Sequence, residues 1–381
     1  MGRPFLPFLP LLPFLPFLPL LAFLPLLALP PFLPIHLSAQ ADPKTALLER
    51  AGWDALVAGR AHDAADAFRE AIAADPKNAR LYVGAGAAAL LERRDADARQ
   101  ALEYALSLDP KLGRARALLG QVLYRTGDLM GAIRTYELLT ADAPDDKQAV
   151  ATLERWRREA DLNNRLQQTV GVHFTVSFEG PEEAILAARA LDALERAFWR
   201  IGGTLSTYPF APIPVVLYSN EQFRDITRSP SWAVGAYDGT IRVPVRGALD
   251  NPQELDRVLA HEFTHALVRS LSSRGVPAWL NEGLATALES GDLEWAERRL
   301  RAARAPAALG ALTASFGRLS GAQAQLAYAT SALAVRKLIE EAGGSAIANL
   351  LRDLADGVSF DAAFARRMQR PFPEFQASLV W

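Results

Sequence analysis

The stretch "AADPKNA" (residues 73–79) recurs twice in altered form, as "SLDPKLG" (107–113) and "TADAPDD" (140–146). The prolines of the three copies are 34 residues apart: Pro76, Pro110 and Pro144. Each unit carries a glycine in its predicted first helix and an alanine in its second, at matched offsets: Gly52, Gly86, Gly120, Ala64, Ala98 and Ala132. Small residues at matched positions indicate pairs of helices that approach closely. The pattern therefore predicts a helical repeat array.

The period and its small positions resemble the tetratricopeptide repeat. The resemblance covers residues 42–146 and implies three repeats in an all-α solenoid. Gly59 and Gly127 occupy the turn between the two helices of the first and third units, whereas the second unit has Arg93 there. Residues 147–168 are predicted to be a capping helix and linker, because a solenoid end must cover its last apolar face. Such an array offers a groove for a protein or peptide partner, but many arrays serve as spacers, and these residues identify no ligand.

Strands and helices alternate after Gln168 and predict a second domain at residues 169–381. Strands are predicted at 171–180, 212–219 and 238–247, with helices at 182–203 and 220–227. From residue 251 the chain looks helical, in segments at 251–273, 279–304, 322–342, 345–356 and 359–379. A mixed sheet followed by helices is an α+β arrangement.

The segment "VLAHEFTHALV" (258–268) carries chemistry on the helix predicted at 251–273. Residues four apart share one face of a helix, so His261 and His265 can direct both imidazoles at one metal ion. Glu262 lies to the side, where it can reach a water molecule. This H-E-x-x-H pattern is typical of two zinc ligands and a general base. The alternative is an amphipathic helix with polar residues at its edge, but unpaired histidines in such an apolar stretch would cost burial energy.

Composition limits the available ligands and partners. Cysteine is absent, so a metal site must use His, Asp or Glu. The 41 basic and 43 acidic residues form no long run of either sign, which argues against a nucleic-acid partner.

Residues 1–41 form a Phe-Leu-Pro tract in which frequent prolines disfavour a stable membrane span. Its apolar region and the A-x-A-like Ala39-Gln40-Ala41 predict an export signal and a periplasmic or secreted protein. A repeat expansion at a misassigned start is the alternative.

The segment "VPAWLNEGLATALE" (276–289) adds a third candidate ligand, Glu282. Together with H-E-x-x-H it resembles the gluzincin zinc metallopeptidases, and most closely the peptidase-MA-like domain that follows tetratricopeptide repeats. The resemblance implies a zincin-like domain of the thermolysin and aminopeptidase-N type, with a small mixed sheet and a helical C-terminal half. It further implies Zn²⁺ held by His261, His265 and Glu282, with Glu262 as general base and Tyr328 as oxyanion stabiliser. A packed tyrosine is the alternative for Tyr328.

The resemblance also bears on substrate binding. The segment at 231–245 would supply the edge strand that pairs with an extended peptide. It lacks the glutamate by which aminopeptidases hold a free amine, so aminopeptidase specificity is not implied. Glu289 could orient one of the histidines or be a surface carboxylate. Asn281 could support the loop, and Trp279 is expected to pack under the site.

Two functions are therefore open. The first is a zinc-dependent peptidase that acts on a peptide or protein substrate, with a possible protein partner in the repeat groove. The second is a non-catalytic repeat scaffold in which zinc only braces the second domain. A purely structural zinc site has no need of Glu262, which favours the peptidase. His36, His62 and His173 have no ligand partners at useful spacing and are expected to be incidental.

Overall fold

A computed structural model describes residues 43–180, 183–219, 236–237, 239–244, 252–303, 308–316 and 319–379. The predicted export signal, His36, the helix predicted at 220–227 and most of the segment before Tyr237 lie outside the described residues. Among the helices of the described ranges, none combines the length and the apolarity that crossing a membrane requires.

The N-terminal half is a solenoid of antiparallel helix pairs. Its helices are α1 (Pro43–Val57), α2 (Ala61–Ala74), α3 (Ala79–Leu91), α4 (Asp95–Leu108), α5 (Gly113–Arg125), α6 (Leu129–Asp142) and α7 (Lys147–Asn163). The first six form three pairs, which confirms the predicted repeat solenoid.

The glycines of the repeat lie where two helices touch. A Cβ atom added at Gly52 would come within 2.7 Å of the Phe68 ring, and one at Gly86 would come within 2.7 Å of Leu102 Cγ. Both distances are too short for real carbon atoms, so the close approach predicted from the small residues is confirmed.

The turn inside each pair requires a left-handed backbone. Gly59 has φ of +71° and Gly127 has φ of +88°, and Arg93 adopts φ of +60° at the equivalent place. Glycine adopts this conformation without steric cost, whereas a residue with a Cβ is strained in it. The second repeat therefore keeps the same turn in spite of its arginine.

Helix α7 covers the open end of the solenoid. Trp156 on this helix is fully buried and stacks on Tyr124, with ring centroids 4.9 Å apart. The helix ends at Asn163, and residues 166–170 form a strand, so the prediction of a capping helix and linker up to residue 168 is wrong over its last residues. Antiparallel pairing with the next strand outweighs the polar composition of this segment.

The second domain begins with that strand and contains a mixed sheet. Its strands are β1 (Leu166–Val170), β2 (Phe174–Glu179), β3 (Ile213–Tyr218), β4 (Ala236–Tyr237) and β5 (Ile241–Pro244). They lie in the order β1-β2-β3-β5-β4, with β2, β3 and β5 parallel and the two outer strands antiparallel to their neighbours. The α+β class with a small mixed sheet is confirmed. Strand β4 is an edge strand of the sheet in the described residues.

Helices pack on this sheet and make up the rest of the domain. They are α8 (Ala184–Leu205), α9 (Pro252–Leu271), α10 (Ala278–Glu289), α11 (Glu294–Ala302), α12 (Gly321–Ala342), α13 (Gly344–Ala355), α14 (Phe360–Met368) and α15 (Phe372–Ala377). The helix predicted at 279–304 is two helices, broken at residues 290–293. The helix predicted at 359–379 is also two, broken before Pro371, which cannot continue a helix interior.

A buried ion pair joins the two domains. Arg242 on β5 lies 2.9 Å from Glu159 on α7, and both side chains are almost completely buried. Tyr124 on α5 donates a hydrogen bond to Glu159 (2.8 Å), and Arg242 donates one to Tyr218 on β3 (2.6 Å). Breaking such a pair would leave a buried charge uncompensated, so it fixes the solenoid against the sheet.

We expect Gly120→Ala to destabilise the protein, because the added methyl group would overlap the Tyr136 ring with Trp156 behind it. Overpacking of this kind lowers the free energy of unfolding by about 1–3 kcal/mol. The higher helix propensity of alanine raises it by only about 1 kcal/mol. Gly113→Ala on the same helix is the matched control, since its methyl would meet Leu139 at an ordinary 3.5 Å. Urea unfolding measures both variants, and equal stability of the two would contradict the close-packing interpretation.

Candidate metal centre

Helix α9 carries two histidines and a glutamate into the interior. Its segment from Val258 to Val268 is buried on every side, between the sheet and the C-terminal helices. His261, Glu262 and His265 are 0%, 1% and 6% exposed. Polar groups buried in this way need partners, because an unpaired one costs free energy.

Helix α10 brings the third residue, Glu282, to the same place. The residue that follows it, Gly283, faces α12, where an added Cβ would lie 2.6 Å from the carbonyl oxygen of Ser331. The glycine thus allows α10 to approach the backbone of α12. Glu282 is completely buried as a result. This contact gives a packing reason for the glycine in the N-E-G sequence.

The three side chains converge. His261 Nε2 and His265 Nε2 are 3.2 Å apart, and His265 Nε2 is 3.8 Å from Glu282 Oε2. One ligand atom from each of the three residues falls within 4.8 Å of the others. Ligands about 2.0–2.1 Å from a tetrahedral zinc ion are about 3.3 Å apart, so the residues present fit such an ion.

The outer nitrogen of His261 is held by a carboxylate. His261 Nδ1 lies 2.6 Å from Glu289 Oε2, and Arg257 donates to the other oxygen of Glu289 at 2.7 Å. Arg257 also pairs with Glu254, one turn before it on α9. A carboxylate that pairs with a guanidinium accepts hydrogen bonds at both oxygens. His261 must therefore carry its proton on Nδ1.

Asn281 does the same for the second histidine. Its Oδ1 lies 3.2 Å from His265 Nδ1, and its Nδ2 lies 3.4 Å from Glu282 Oε1, to which it donates. This amide orientation makes His265 Nδ1 the donor and leaves His265 Nε2 without a proton.

Both inner nitrogens are therefore acceptors that face each other. Two lone pairs 3.2 Å apart cannot form a hydrogen bond and repel one another. A cation between them would remove this repulsion and also neutralise Glu282. His261, His265 and Glu282 can accordingly hold a metal ion.

The acid–base properties of the buried groups agree with this arrangement. Burial, with a smaller contribution from His261, lowers the pKa of His265 to about 3, so its imidazole is neutral. Burial raises the pKa of Glu282, and the neighbouring Glu262 raises it further. The pKa of Glu262 is raised by burial and by Glu289. A positive ion is the compensation that these carboxyl groups lack.

Tyr328 on α12 faces the same site. It is 1% exposed, and its hydroxyl makes no hydrogen bond of normal geometry among the described residues but interacts with the Glu282 carboxyl group. Burial raises its pKa, and the carboxyl groups of Glu282 and Glu262 raise it further. Glu262 Oε2 and Glu282 Oε2 also make no hydrogen bond of normal geometry in the described part of the chain.

The other residues considered from sequence lie elsewhere. Trp279 is buried and stacks on Phe372, with centroids 5.6 Å apart, so it packs against the C-terminal helices. His173 binds Glu195 (2.6 Å) and stacks on Phe198, which is a structural role. His62 lines a cavity between the repeats and the second domain.

Sequence reasoning missed Arg257. The signal that could have found it is its position one turn before His261 on the same helix, at the spacing that lets it reach Glu289. Glu289 itself was left open between an orienting and a surface role, and the structure shows the hydrogen bond to His261.

Comparison with known proteins agrees with the fold and the repeat period. Residues 194–368 match the family model of the Peptidase MA superfamily, and residues 50–113 and 89–156 match models of the tetratricopeptide repeat. No curated protein matches the chain.

Two solved structures illustrate the likeness to other repeats. One is the first tetratricopeptide domain of Spaghetti (RPAP3) bound to the HSP90 peptide SRMEEVD, at 21% identity and a TM-score of 0.30, covering 31% of this chain and 96% of that one. The other is the first such domain of human RPAP3, at 20% identity and a TM-score of 0.30, covering 31% of this chain and 94% of that one. Residues 194–368 thus match the Peptidase MA superfamily, and the tetratricopeptide matches at residues 50–156 precede them in the chain.

Proposed function

We propose that the protein is a zinc-dependent peptidase. The observation that carries the proposal is the pair of inner imidazole nitrogens, both acceptors, that face each other beside the buried carboxyl group of Glu282. The second support is Glu262, a buried carboxyl group with an unpartnered oxygen next to this set. A structural site gains nothing from such a carboxyl group, whereas a hydrolase needs a base there.

His261, His265 and Glu282 would hold the zinc ion. When bound, zinc acts as a Lewis acid and lowers the pKa of water toward about 7. Glu262 accepts the proton of the attacking water and passes it to the leaving amine. Burial and Glu289 raise the pKa of Glu262 above its usual range, which suits a group that must both take up and release a proton near neutral pH.

Tyr328 would act on the scissile carbonyl. Its raised pKa keeps the hydroxyl protonated and therefore a donor. The hydroxyl is buried beside Glu282 at the metal centre, so it can donate to the oxygen on which negative charge develops. Strand β4 would supply the backbone edge for an extended peptide substrate. We also propose that the protein is exported, on the grounds of the sequence of residues 1–41.

We expect Glu262→Gln to retain zinc and to lose hydrolysis by about 10²–10⁴-fold, because the amide fills the same space and accepts no proton. His265→Ala should lose both zinc and activity. Metal analysis and turnover of a quenched fluorescent peptide library by the chain from residue 42 onward measure the two effects.

Zinc content and turnover together distinguish the peptidase from the non-catalytic scaffold. Full activity of the Glu262→Gln protein would rule out the assigned base. One zinc per chain with no turnover of any peptide would favour the scaffold.

Zinc binding should release protons and should tighten as pH rises. The raised pKa of Glu282 means that this carboxyl group keeps its proton to higher pH than usual, and zinc needs the ionised form. His265, with a pKa of about 3, has no proton to release at pH 6. Titration calorimetry at pH 6 in two buffers of different ionisation enthalpy measures the released protons. A zinc affinity that falls as pH rises would contradict the proposed ligand set.

Glu289→Gln should weaken zinc binding about 10- to 100-fold, because the amide binds His261 less strongly and fixes its ring less well. Glu254→Gln is the matched control, since Glu254 pairs with the same Arg257 but is not the carboxylate bonded to His261. Competition with a chelating dye measures both affinities. Equal weakening in the two variants would show that Glu289 acts through Arg257 alone.

A further inference from the structure

One cavity connects the repeats with the metal centre. It has a volume of about 1150 Å³ and is lined on one side by α1, α3 and α5, the first helices of the three repeats. On the other side lie His265, Asn281 and Glu282. Small-molecule sites occupy about 300–1,000 Å³, so this space suits a longer ligand such as a peptide.

The charged lining of this cavity is predominantly basic. Arginines come from both domains: Arg93, Arg114, Arg125, Arg269 and Arg274. Among the described lining residues the carboxylates are Glu92, which binds Arg94 at 2.7 Å, and Glu282 of the metal centre. Cationic walls of this kind attract a ligand that carries carboxylates.

Two of these arginines flank a single carboxylate at the domain junction, and Arg93 lies close enough to feel its charge. Asp95 pairs with Arg125 of the solenoid and lies 3.8 Å from Arg269 of α9. Arg93 has no ion pair within the described residues, and its carbonyl accepts a hydrogen bond from Ser273 (3.4 Å). Burial lowers the pKa of Arg93 to about 10, and the positive charges of Arg125 and Arg269 contribute. The group therefore holds more positive charge than Asp95 can balance.

The backbone of Arg93 gives an independent indication that this residue has a function. The residue has φ of +60°, whereas the equivalent turns hold glycine at Gly59 and Gly127. Glycine would form the same turn without strain. A residue with a strained backbone in a place where glycine suffices is typical of a functional position.

We infer that the substrate is an acidic peptide, with one carboxylate bound by Arg93 at the domain junction while the scissile bond lies at the metal centre. The inference rests on the proposed peptidase activity and adds to it the chemical class of the substrate. Arg125 and Arg269 contribute charge at the same place, and the shared cavity lets one extended chain reach both sites. The carboxylate belongs either to an Asp or Glu side chain or to the end of the peptide, and guanidinium binds both in the same way.

The test uses the full chain and quenched fluorescent peptides in which a single Glu is moved along an otherwise neutral sequence. The same peptides with Gln, and with free or amidated C-termini, form the other arms. We expect wild type to prefer one Glu position, or a free C-terminus, by about 10- to 100-fold in kcat/KM. Arg93→Gly, which keeps the turn, should remove this preference without loss of zinc. Arg93→Lys should keep part of it.

Arg99→Gln is the matched control, because Arg99 lies on α4 of the same repeat, pairs with Glu103 and does not line the cavity. It should leave the preference unchanged. A wild-type preference for the Gln peptides, or an unchanged preference in Arg93→Gly, would overturn the inference.

Peptide binding, measured without cleavage, tests the acidic-ligand inference separately from the proposed peptidase activity. Anisotropy of the labelled Glu peptide with the Glu262→Gln protein should show binding about 10- to 100-fold tighter than that of the Gln peptide, and Arg93→Gly should abolish the difference. If no peptide is cleaved but this difference is found, the peptidase proposal fails while the acidic ligand stands. If peptides are cleaved and no difference is found in either assay, the acidic ligand fails while the peptidase stands.

Discussion

The inner nitrogens of two histidines, 3.2 Å apart and both without a proton, set the constraint on which the centre depends. Glu289 and Asn281 create this situation by accepting the outer protons. Each hydrogen bond is favourable alone, yet together they turn two lone pairs toward each other. A cation between the two nitrogens would remove this repulsion. The positions of Glu289 and Asn281 are therefore explained by a bound ion.

The packing of the domain supports the same centre. The segment of helix α9 from Val258 to Val268 is buried on all sides, which keeps its polar groups from bulk water. Gly283 brings α10 against α12, so that Glu282 and Tyr328 lie close together in the interior. Low polarity strengthens every electrostatic interaction there and makes each unpaired carboxyl costly. The raised pKa values of Glu262 and Glu282 express that cost.

The sequence predicted those parts of the structure that repeat or that follow helical spacing. The 34-residue period located the solenoid, and the four-residue spacing put His261 and His265 on one face. Contacts between segments distant in sequence were not predictable in this way. Strand β1 forms because β2 pairs with it, although "LQQTV" reads as the end of a helix. Arg257 lies one turn before His261, but its pairing with Glu289 depends on α10, which brings Glu289 within its reach.

The contact between the domains decides how the repeats relate to the metal centre. A spacer would have no need of the buried pair of Glu159 and Arg242, which ties the last helix of the solenoid to the sheet. Tyr124 and Tyr218 extend this pair into both domains. The first helices of the repeats are thereby held as one wall of the cavity that contains His265. The first helices of the repeats and the residues of the metal centre therefore line one common space.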